Sequence, residues 1–231
     1  MNFLREHRVL LNGKYVISWY KAILGRCHEI WVFRVETIIV CDLESIKLQY
    51  LVKHNPAGTI GAALSKSISA AVQHNTLYTE WLSAVERKLV RETWSDHLIF
   101  LGDKYTTVQS NEAYELDILF LQSLMNEMHG QLFRQTPHPK FKYDPGFRIS
   151  HSQKSISEYL KHLWCMGKIP EPPQCPVDAL ILAIAGSSPT EKRWSYVNSI
   201  EEHRKKVLIL SRMANSQNLT LPAWELLQFG T

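Results

Sequence analysis

The 231-residue sequence lacks several features that would assign it to common classes of protein. It has no run of about 18 apolar residues, so we predict no transmembrane helix and no membrane partner. Residues 1–7 mix charged with apolar side chains and lack the apolar segment of a signal peptide. The chain also shows no internal repeat and no low-complexity tract. We therefore expect a cytoplasmic protein.

Cysteine is scarce, and its spacing excludes several kinds of site. The four cysteines are Cys27, Cys41, Cys165 and Cys175, and no two of them form a C-x-x-C pair. Neither a zinc knuckle nor a redox pair is therefore predicted. No cysteine follows Cys175, which excludes an iron–sulfur cluster held by four cysteines near the C-terminus. We expect free, mostly buried thiols in a reducing compartment, with no metal and no cofactor.

The overall composition is that of an ordinary globular protein, but the charge is unevenly distributed. Hydrophobic residues make up 45% of the chain and charged residues 21%, enough for one large domain or two small helical lobes. Residues 131–231 hold 13 Lys and Arg against 8 Asp and Glu, a net +5, whereas residues 1–130 hold 13 against 14, a net −1. A basic C-terminal part suits a surface that binds a phosphate-bearing partner.

The spacing of apolar residues predicts a mostly α fold. Residues 29–41 are β-branched and aromatic, which is compatible with a strand. The break at Asn55-Pro-Ala-Gly58 suggests an N-terminal segment of residues 1–57 and a helical core of residues 58–231. The predicted helices of this core are 60–72, 77–94, 112–128, 152–166, 179–185 and 199–215, with a last short helix that contains Pro222.

Two residues of this core stand at helix starts on either side of a proline-rich connection. Lys154 lies in the first turn of the helix predicted over 152–166, where Ser155-x-x-Glu158 has the pattern of a capping box. Asp178 follows the proline-rich residues 170–176 and opens the next helix as its N-cap. Taken singly, a helix lysine and an N-cap aspartate are ordinary structural residues. Their order and their separation of 24 residues are informative together.

The segment from His151-Ser-Gln-Lys154 to Cys175-Pro-Val-Asp178 resembles the helix-hairpin-helix DNA glycosylase superfamily, in which a lysine after a hairpin precedes a Val-Asp pair. The order and length of the later segments, 178–186, 201–204 and 219–230, are similar to those of the archaeal 8-oxoguanine glycosylases. The resemblance implies a two-lobed helix-hairpin-helix fold with the active site in the cleft between the lobes. It also implies that the protein acts as a monomer on double-stranded DNA.

The resemblance assigns the chemistry to Lys154 and Asp178 as catalytic residues. Cleavage of an N-glycosidic bond develops positive charge at C1′ of the sugar, which the carboxylate of Asp178 would stabilise. The amine of Lys154 would then bond to C1′ and leave a Schiff base, which permits β-elimination. For this the lysine must be partly neutral, and we expect burial or a neighbouring cation to lower its pKa.

Further residues would bind the substrate and the DNA backbone. A base flipped out of the duplex needs an aromatic platform, and the candidates for substrate binding are Trp81, Phe147, Trp224 and Gln228. The hairpin expected around residues 146–153 has no glycine within 148–152, unlike the family's usual glycine-rich turn. Its candidates for holding the DNA backbone are Arg148, Ser150, His151, Ser152 and Gln153.

The identity of the excised base stays open at this point. The compact chain also resembles the Brig-type antiphage glycosylases, which remove glucosylated hydroxymethylcytosine from phage DNA, and we rank this substrate above 8-oxoguanine. Two further hypotheses are a non-catalytic helix-hairpin-helix module that binds DNA and a helical domain that binds proteins. The first predicts DNA binding without base release, and the second predicts no affinity for DNA even at low salt.

Overall fold

The computed structural model describes residues 3–11, 14–22, 35–73, 75–140, 142 and 144–229. The chain begins with an antiparallel sheet in the order β1 (Phe3–Leu11), β2 (Lys14–Ala22) and β3 (Val35–Asp42). Leu11 pairs with Lys14, and the two residues between them in the sequence are Asn-Gly, a dipeptide typical of two-residue hairpins. The strand suggested over 29–41 coincides with β3 from Val35 onward, and residues 29–34 lie outside the described part.

Apart from this sheet, the elements of the described chain are helices joined by turns and irregular connections, so the protein is mostly α, as predicted. No helix in the described ranges has both the length and the apolar character needed to cross a membrane. A 3₁₀ turn follows α4, and a second one precedes α7. The helices are α1 (Leu43–His54), α2 (Ile60–Val72), α3 (Ala84–Lys104), α4 (Asn111–His129), α5 (Ile149–Cys165), α6 (Ala179–Ile184), α7 (Ile200–Ser216) and α8 (Leu221–Phe229).

Most of the predicted helices occur where the apolar spacing placed them, but α3 does not. It begins at Ala84 rather than Leu77, because Ser83 and Glu86 form a capping box in which each side chain bonds the other's backbone N–H. Residues 77–82 are an irregular segment instead. There the carbonyl of Leu77 accepts a hydrogen bond from the N–H of Arg134.

Helix α5 lies at the centre of the helical part and contacts α1, α2, α3, α4 and α7. Nearly all of its residues are buried, although many of them are polar. The serines of α5 can be buried because their hydroxyls form hydrogen bonds with carbonyls one turn earlier and with side chains of neighbouring helices. The Oγ of Ser155 accepts from the indole Nε1 of Trp94 on α3, and the Oγ of Ser157 bonds the hydroxyl of Tyr114 on α4.

Helix α5 also begins three residues earlier than predicted, at Ile149. The side chain of Asn126 on α4 bonds both the N–H and the C=O of Phe147, which fixes the chain just before the helix. Gly146 makes this approach possible, since it has φ +75° and a Cβ there would lie 2.9 Å from Oδ1 of Asn126. Ser155-x-x-Glu158 is therefore an interior segment of the helix, and its prediction as a capping box is wrong.

Helix α1 belongs to the helical core although it falls within the predicted N-terminal segment. It packs against α5 and α8, and its residues Ile46 and Tyr50 are buried in the same hydrophobic core. A boundary at residue 57 therefore does not separate α1 from the helices that follow. Residues 1–42 had no predicted helix, and their described stretches form the sheet.

Candidate active site

Lys154 and Asp178, 24 residues apart in the sequence, are in direct contact. The Nζ of Lys154 donates a hydrogen bond of 2.8 Å to Oδ2 of Asp178. The lysine side chain is only 7% exposed and the aspartate side chain 19% exposed. The pair therefore lies just beneath the surface, and the aspartate is the more accessible of the two groups.

Two local devices hold this pair in place. Asp178 is the N-cap of α6, as predicted, and its Oδ1 accepts from the N–H groups of Leu180 and Ile181 at 2.9 Å each. Because Oδ1 is used in this way, Oδ2 is left for the lysine. On the other side, the amide of Gln153 bonds both the C=O and the N–H of Val177. Gln153, which precedes Lys154, is thus hydrogen-bonded to Val177, which precedes Asp178.

The ion pair is one end of a longer buried chain of charges. Oε1 of Glu158 lies 2.8 Å from Nζ of Lys154, and Oε2 of the same carboxylate lies 3.2 Å from Nζ of Lys161. Lys161 in turn contacts Glu225 of α8 at 2.8 Å. Two ammonium groups of α5 therefore alternate with three carboxyl groups, which come from α5, from the N-cap of α6 and from α8. Breaking one link would leave a buried charge without its partner, which is costly.

The pKa of Lys154 is raised, not lowered as its proposed role as a nucleophile led us to expect. Burial alone would lower the pKa of this amine, and nearby Lys161 acts in the same direction. The carboxylates of Glu158 and Asp178 act in the opposite direction and outweigh both. Lys154 is therefore an ammonium ion in this structure, and it can act as a nucleophile only after it gives up a proton.

The pKa values of Glu225 and Glu158 are shifted in opposite directions by their shared surroundings. Burial, with the nearby carboxylate of Glu158, raises the pKa of Glu225 to about 7, and the ammonium groups of Lys161 and Lys154 offset only part of that effect. Burial also acts to raise the pKa of Glu158, but the two lysines beside it outweigh burial and hold its pKa well below the usual value. Glu225 therefore exchanges its proton near neutral pH, whereas Glu158 stays ionised.

A cleft of about 540 Å³ opens beside the middle of this chain of charges. It lies between α5 on one side and α1 and α2 on the other. Lys154 and Asp178 do not line it, but Glu158, which contacts Lys154, does. Its lining residues are Tyr50, His54, Lys66, Ser69, Ala70, Gln73, Glu158 and His162.

The predicted substrate-binding residues do not form one exposed platform. Trp81 lies in the segment before α3, and its side chain is exposed, with 85% of its surface open. Phe147 is buried, with its ring edge-on to that of Trp94 at 4.7 Å, so it belongs to the core rather than to an open platform. Trp224 is also fully buried, and the side chain of Gln228 donates to the carbonyl of Trp224 within α8.

The five residues predicted to hold the DNA backbone are buried, and this prediction is corrected. The guanidinium of Arg148 bonds the side chain of Asn75 and the carbonyls of Asp144 and Ser195. His151 accepts from the N–H of Arg148 and contacts the carbonyl of Asn75. These side chains tie α5 to its surroundings and leave no surface for phosphate. The buried set is Arg148, Ser150, His151, Ser152 and Gln153.

The backbone N–H groups of the predicted hairpin also donate hydrogen bonds within the protein. The N–H of Gly146 donates to Arg134, that of Phe147 to Asn126, and that of Ser150 to the carbonyl of Val197. Since α5 already begins at Ile149, only a short stretch remains in which a hairpin could turn. Any contact between this protein and a phosphate backbone must come from other surfaces.

The sequence reasoning missed Glu158, Lys161, Glu225 and the cleft residues of α1. Lys154 and Glu158 are four residues apart, a spacing that places them on one helix face and could have suggested the pair. The contribution of Tyr50 had no local signal, because its partners His162 and Glu158 are more than 100 residues away.

Comparison with protein-family models, with curated proteins and with solved structures finds no match to this chain.

Proposed function

We propose that this protein is a DNA glycosylase that excises a modified base, with Lys154 and Asp178 as its catalytic residues. In this proposal the helices form the two lobes of a helix-hairpin-helix fold, and the site lies in the cleft between them. The protein would act as a monomer on double-stranded DNA in the cytoplasm. The observation that carries the proposal is the 2.8 Å contact between Lys154 and Asp178, which joins the two residues that the resemblance singles out.

The surroundings of the pair support a role beyond stability. A buried ion pair is a poor source of stability, because desolvation of its charges offsets their attraction. This one is supported by a dedicated amide clamp between Gln153 and Val177, and its aspartate is partly open to solvent. Such an arrangement is typical of catalytic groups that must be held in a fixed geometry.

The raised pKa of Lys154 sets the order of events in the proposed reaction. The bond between C1′ and the base breaks, its electron pair leaves with the base, and Asp178 stabilises the positive sugar. The departing base takes a proton from the ammonium of Lys154. The neutral amine then forms a bond to C1′; the C1′–O4′ bond of the sugar ring breaks, a proton passes from the bonded nitrogen to O4′, and C1′ stays joined to Lys154 as a protonated Schiff base. Loss of that one proton both neutralises the leaving group and creates the nucleophile.

Base release measured by mass spectrometry tests the proposal. The protein is incubated with T-even-type phage DNA, which carries glucosylated hydroxymethylcytosine, with duplexes that contain 8-oxoguanine, and with unmodified DNA. We expect release of the glucosylated base and none from unmodified DNA. Asp178→Asn, which keeps the N-cap oxygen, should slow release by about 100-fold or more, the usual scale for loss of a catalytic group.

Lys154→Arg keeps the cation beside both carboxylates but removes the nucleophile, and it should also abolish turnover. Lys88→Gln on α3 is the matched control, because that lysine side chain is 78% exposed and distant in sequence from the pair. Release from 8-oxoguanine duplexes alone would replace the proposed substrate with a damaged base. DNA binding without release from any of the three DNAs would contradict the enzyme and favour a non-catalytic binding module.

A further inference from the structure

The outer face of α3 and α4 exposes two phenylalanine rings that lie side by side. The ring centroid of His97 on α3 is 5.9 Å from that of Phe100 on the same helix and 5.2 Å from that of Phe120 on α4. The two phenylalanines therefore meet where the helices adjoin. His97 is buried, whereas Phe100 is 61% exposed and Phe120 is 57% exposed. Leaving two such rings in water is unfavourable.

An apolar stripe continues from these rings along both helices. The helices are antiparallel, because Thr93 on α3 contacts His129 at the end of α4, whereas Tyr105 beyond the end of α3 contacts Asp117 nearer the start of α4. Side chains separated by 4, 8 or 11 residues share one face of a helix. By this spacing, the exposed apolar residues on the face of the two phenylalanines are Val85 and Leu89 on α3 and Leu116 and Met128 on α4.

The apolar stripe is large for the surface of a single chain. Its six side chains together expose roughly 600 Å², since a half-exposed aromatic side chain presents on the order of 100 Å². Proteins that act alone rarely expose more than a few hundred Å² of contiguous apolar surface, and larger patches mark interaction sites. The exposed area also approaches the roughly 800 Å² that each partner buries in a stable protein–protein interface. The stripe is therefore large enough to hold a partner.

Exposed carboxylates border the stripe and form an acidic rim. The rim consists of Asp96 and Asp103 on α3 and Glu127 on α4. Asp96 and Glu127 each follow a stripe residue by seven positions, which places them on the same outer side of their helices. Residues 84–129 hold eight Asp and Glu against four Lys and Arg, a net −4, although the whole chain has a net charge of +4. The negative charge is thus concentrated around the apolar stripe.

The acidic rim determines which occupant fits the stripe. In a symmetric dimer the same patch of each copy faces the other, so carboxylates would meet carboxylates. The phosphate groups of nucleic acid or of an anionic lipid surface would be repelled for the same reason. A protein surface that surrounds apolar side chains with Lys and Arg would instead be complementary to the rim in charge.

The shape of the stripe favours a helical partner. The groove between two antiparallel helices is bounded by side chains that repeat every turn, and the ridge of a third helix packs into such a groove. From Val85 to Phe100 the stripe is about 22 Å long, at 1.5 Å per residue. This length matches about four turns of an amphipathic helix with apolar side chains at positions i, i+3, i+4 and i+7.

We propose that the outer face of α3 and α4 binds an amphipathic helix of a basic partner protein. The apolar side chains of that helix would lie on the stripe, and its Lys and Arg side chains would lie against the acidic rim. The inference does not depend on the proposed function, because neither Lys154 nor Asp178 belongs to this face.

Fluorescence anisotropy with a labelled synthetic helix tests this surface on the full-length protein. The probe is a peptide of about 18 residues, four to five turns, made of leucine and lysine with the leucines on one face. One control peptide has glutamate in place of every lysine. A second has the composition of the probe in an order that forms no apolar face. We expect the lysine helix to bind at least about tenfold more tightly than either control.

Variants at exposed positions connect the binding to the stripe and do not disturb the core. Phe100→Ala and Phe120→Ala should each weaken binding of the lysine helix by about tenfold, since buried aromatic anchors dominate such interfaces. Leu48→Ala is the matched control, because Leu48 is 63% exposed but lies on α1, outside the stripe. That variant should bind like the wild type.

A double variant at the rim tests the charge complementarity. Asp96→Asn combined with Glu127→Gln should weaken binding of the lysine helix and should make the affinity less sensitive to salt between about 50 and about 300 mM. Glu201→Gln, an exposed glutamate on α7, is the control and should leave both the affinity and its salt dependence unchanged. An unchanged salt dependence in the double variant would contradict the role of the rim.

The outcomes assign the face to one occupant. Selective binding of the lysine helix that depends on both phenylalanines supports the inference, whether or not any base is released from DNA. Equal binding of the lysine and glutamate helices, or wild-type affinity in Phe100→Ala, overturns it. A dimer in analytical ultracentrifugation that Phe100→Ala dissociates would assign the face to a second copy instead. Binding to anionic lipid vesicles that Phe100→Ala abolishes would assign it to a membrane.

Discussion

The surroundings of Lys154 and its proposed role place conflicting demands on the charge of its amine. Its position between two carboxylates keeps it charged, and a nucleophile must be neutral. The conflict disappears if the proton leaves only when the base departs. An amine that is already neutral in the resting protein would react with other electrophiles. In the proposed mechanism, the ion pair with Asp178 would protect the amine until the substrate has reacted.

Glu225, at the far end of the same chain of charges, gives a prediction for stability against pH. Its pKa is raised to about 7 in the folded protein, whereas in the unfolded chain it is near the ordinary value of 4.5. Between those values the folded state binds the extra proton, so this group makes stability fall as pH rises from about 5 to about 7.5. In urea unfolding, the stability of the wild type relative to Glu225→Gln should fall over that interval, by the order of 1–3 kcal/mol.

Glu201→Gln is the control for this titration, because Glu201 is an exposed glutamate on α7. A difference between wild type and Glu225→Gln that stays constant with pH, or that rises, would show that Glu225 does not keep its proton on folding.

At the scale of elements, the central position of α5 depends on small residues that face it. Gly102 of α3 lies where a Cβ would be 3.0 Å from Cδ1 of Leu163 and 3.2 Å from the ring of Tyr159. Both of these residues of α5 are buried and have little room to move. The glycine therefore sets the distance between α3 and α5.

Gly102→Ala should destabilise the protein by about 1–3 kcal/mol, the usual cost of overfilling a packed core. Gly61→Ala is the matched control on α2, where a Cβ would have no atom within 4 Å. It should be neutral or stabilise by about 0.5–1 kcal/mol, since alanine favours the helix over glycine. The melting temperatures of both variants measure the contrast, and similar changes in the two would argue against close packing at Gly102.

The helices with an apolar stripe and a clear cap were predictable from the sequence, and α5 was predictable only in part. α2 was predicted at Ile60–Val72 and occurs there, because its apolar spacing and its breaks are both local features. The start of α5 depends on Asn126, which lies 21 residues away and clamps Phe147. A helix with so many serines is also expected at a surface. Its burial depends on partners from α3 and α4 that no local pattern reveals.

The candidate site, like the helices, was predictable from the sequence only in part. The Lys154 and Asp178 contact was predictable because two motifs at a characteristic spacing point to it. The proposed backbone contacts of residues 148–153 were wrong because the sequence does not show which polar side chains are used inside the fold. The contact of Glu225 with Lys161 spans 64 residues and is a product of the tertiary structure that no local pattern reveals.

At the scale of the whole molecule, the basic C-terminal part and the buried hairpin segment have to be reconciled. The net charge of +5 over residues 131–231 counts Arg148, Lys154 and Lys161, which are buried, so only part of it is available to phosphate at the surface. Exposed lysines outside α5, such as Lys140 and Lys142 in the connection before it, are better placed for long-range attraction. If the protein binds DNA as proposed, the residues that attract the DNA would be different from those around Lys154.

Borohydride trapping on substrate DNA, followed by peptide mapping, tests the central claim most directly. Borohydride reduces a Schiff base to a stable bond, so the lysine that attacked C1′ stays joined to the sugar. With T-even-type phage DNA as substrate, the adduct should be found on Lys154, should disappear in Lys154→Arg, and should persist in Lys88→Gln. An adduct on another lysine, or base release with no adduct at all, would contradict the role proposed for Lys154.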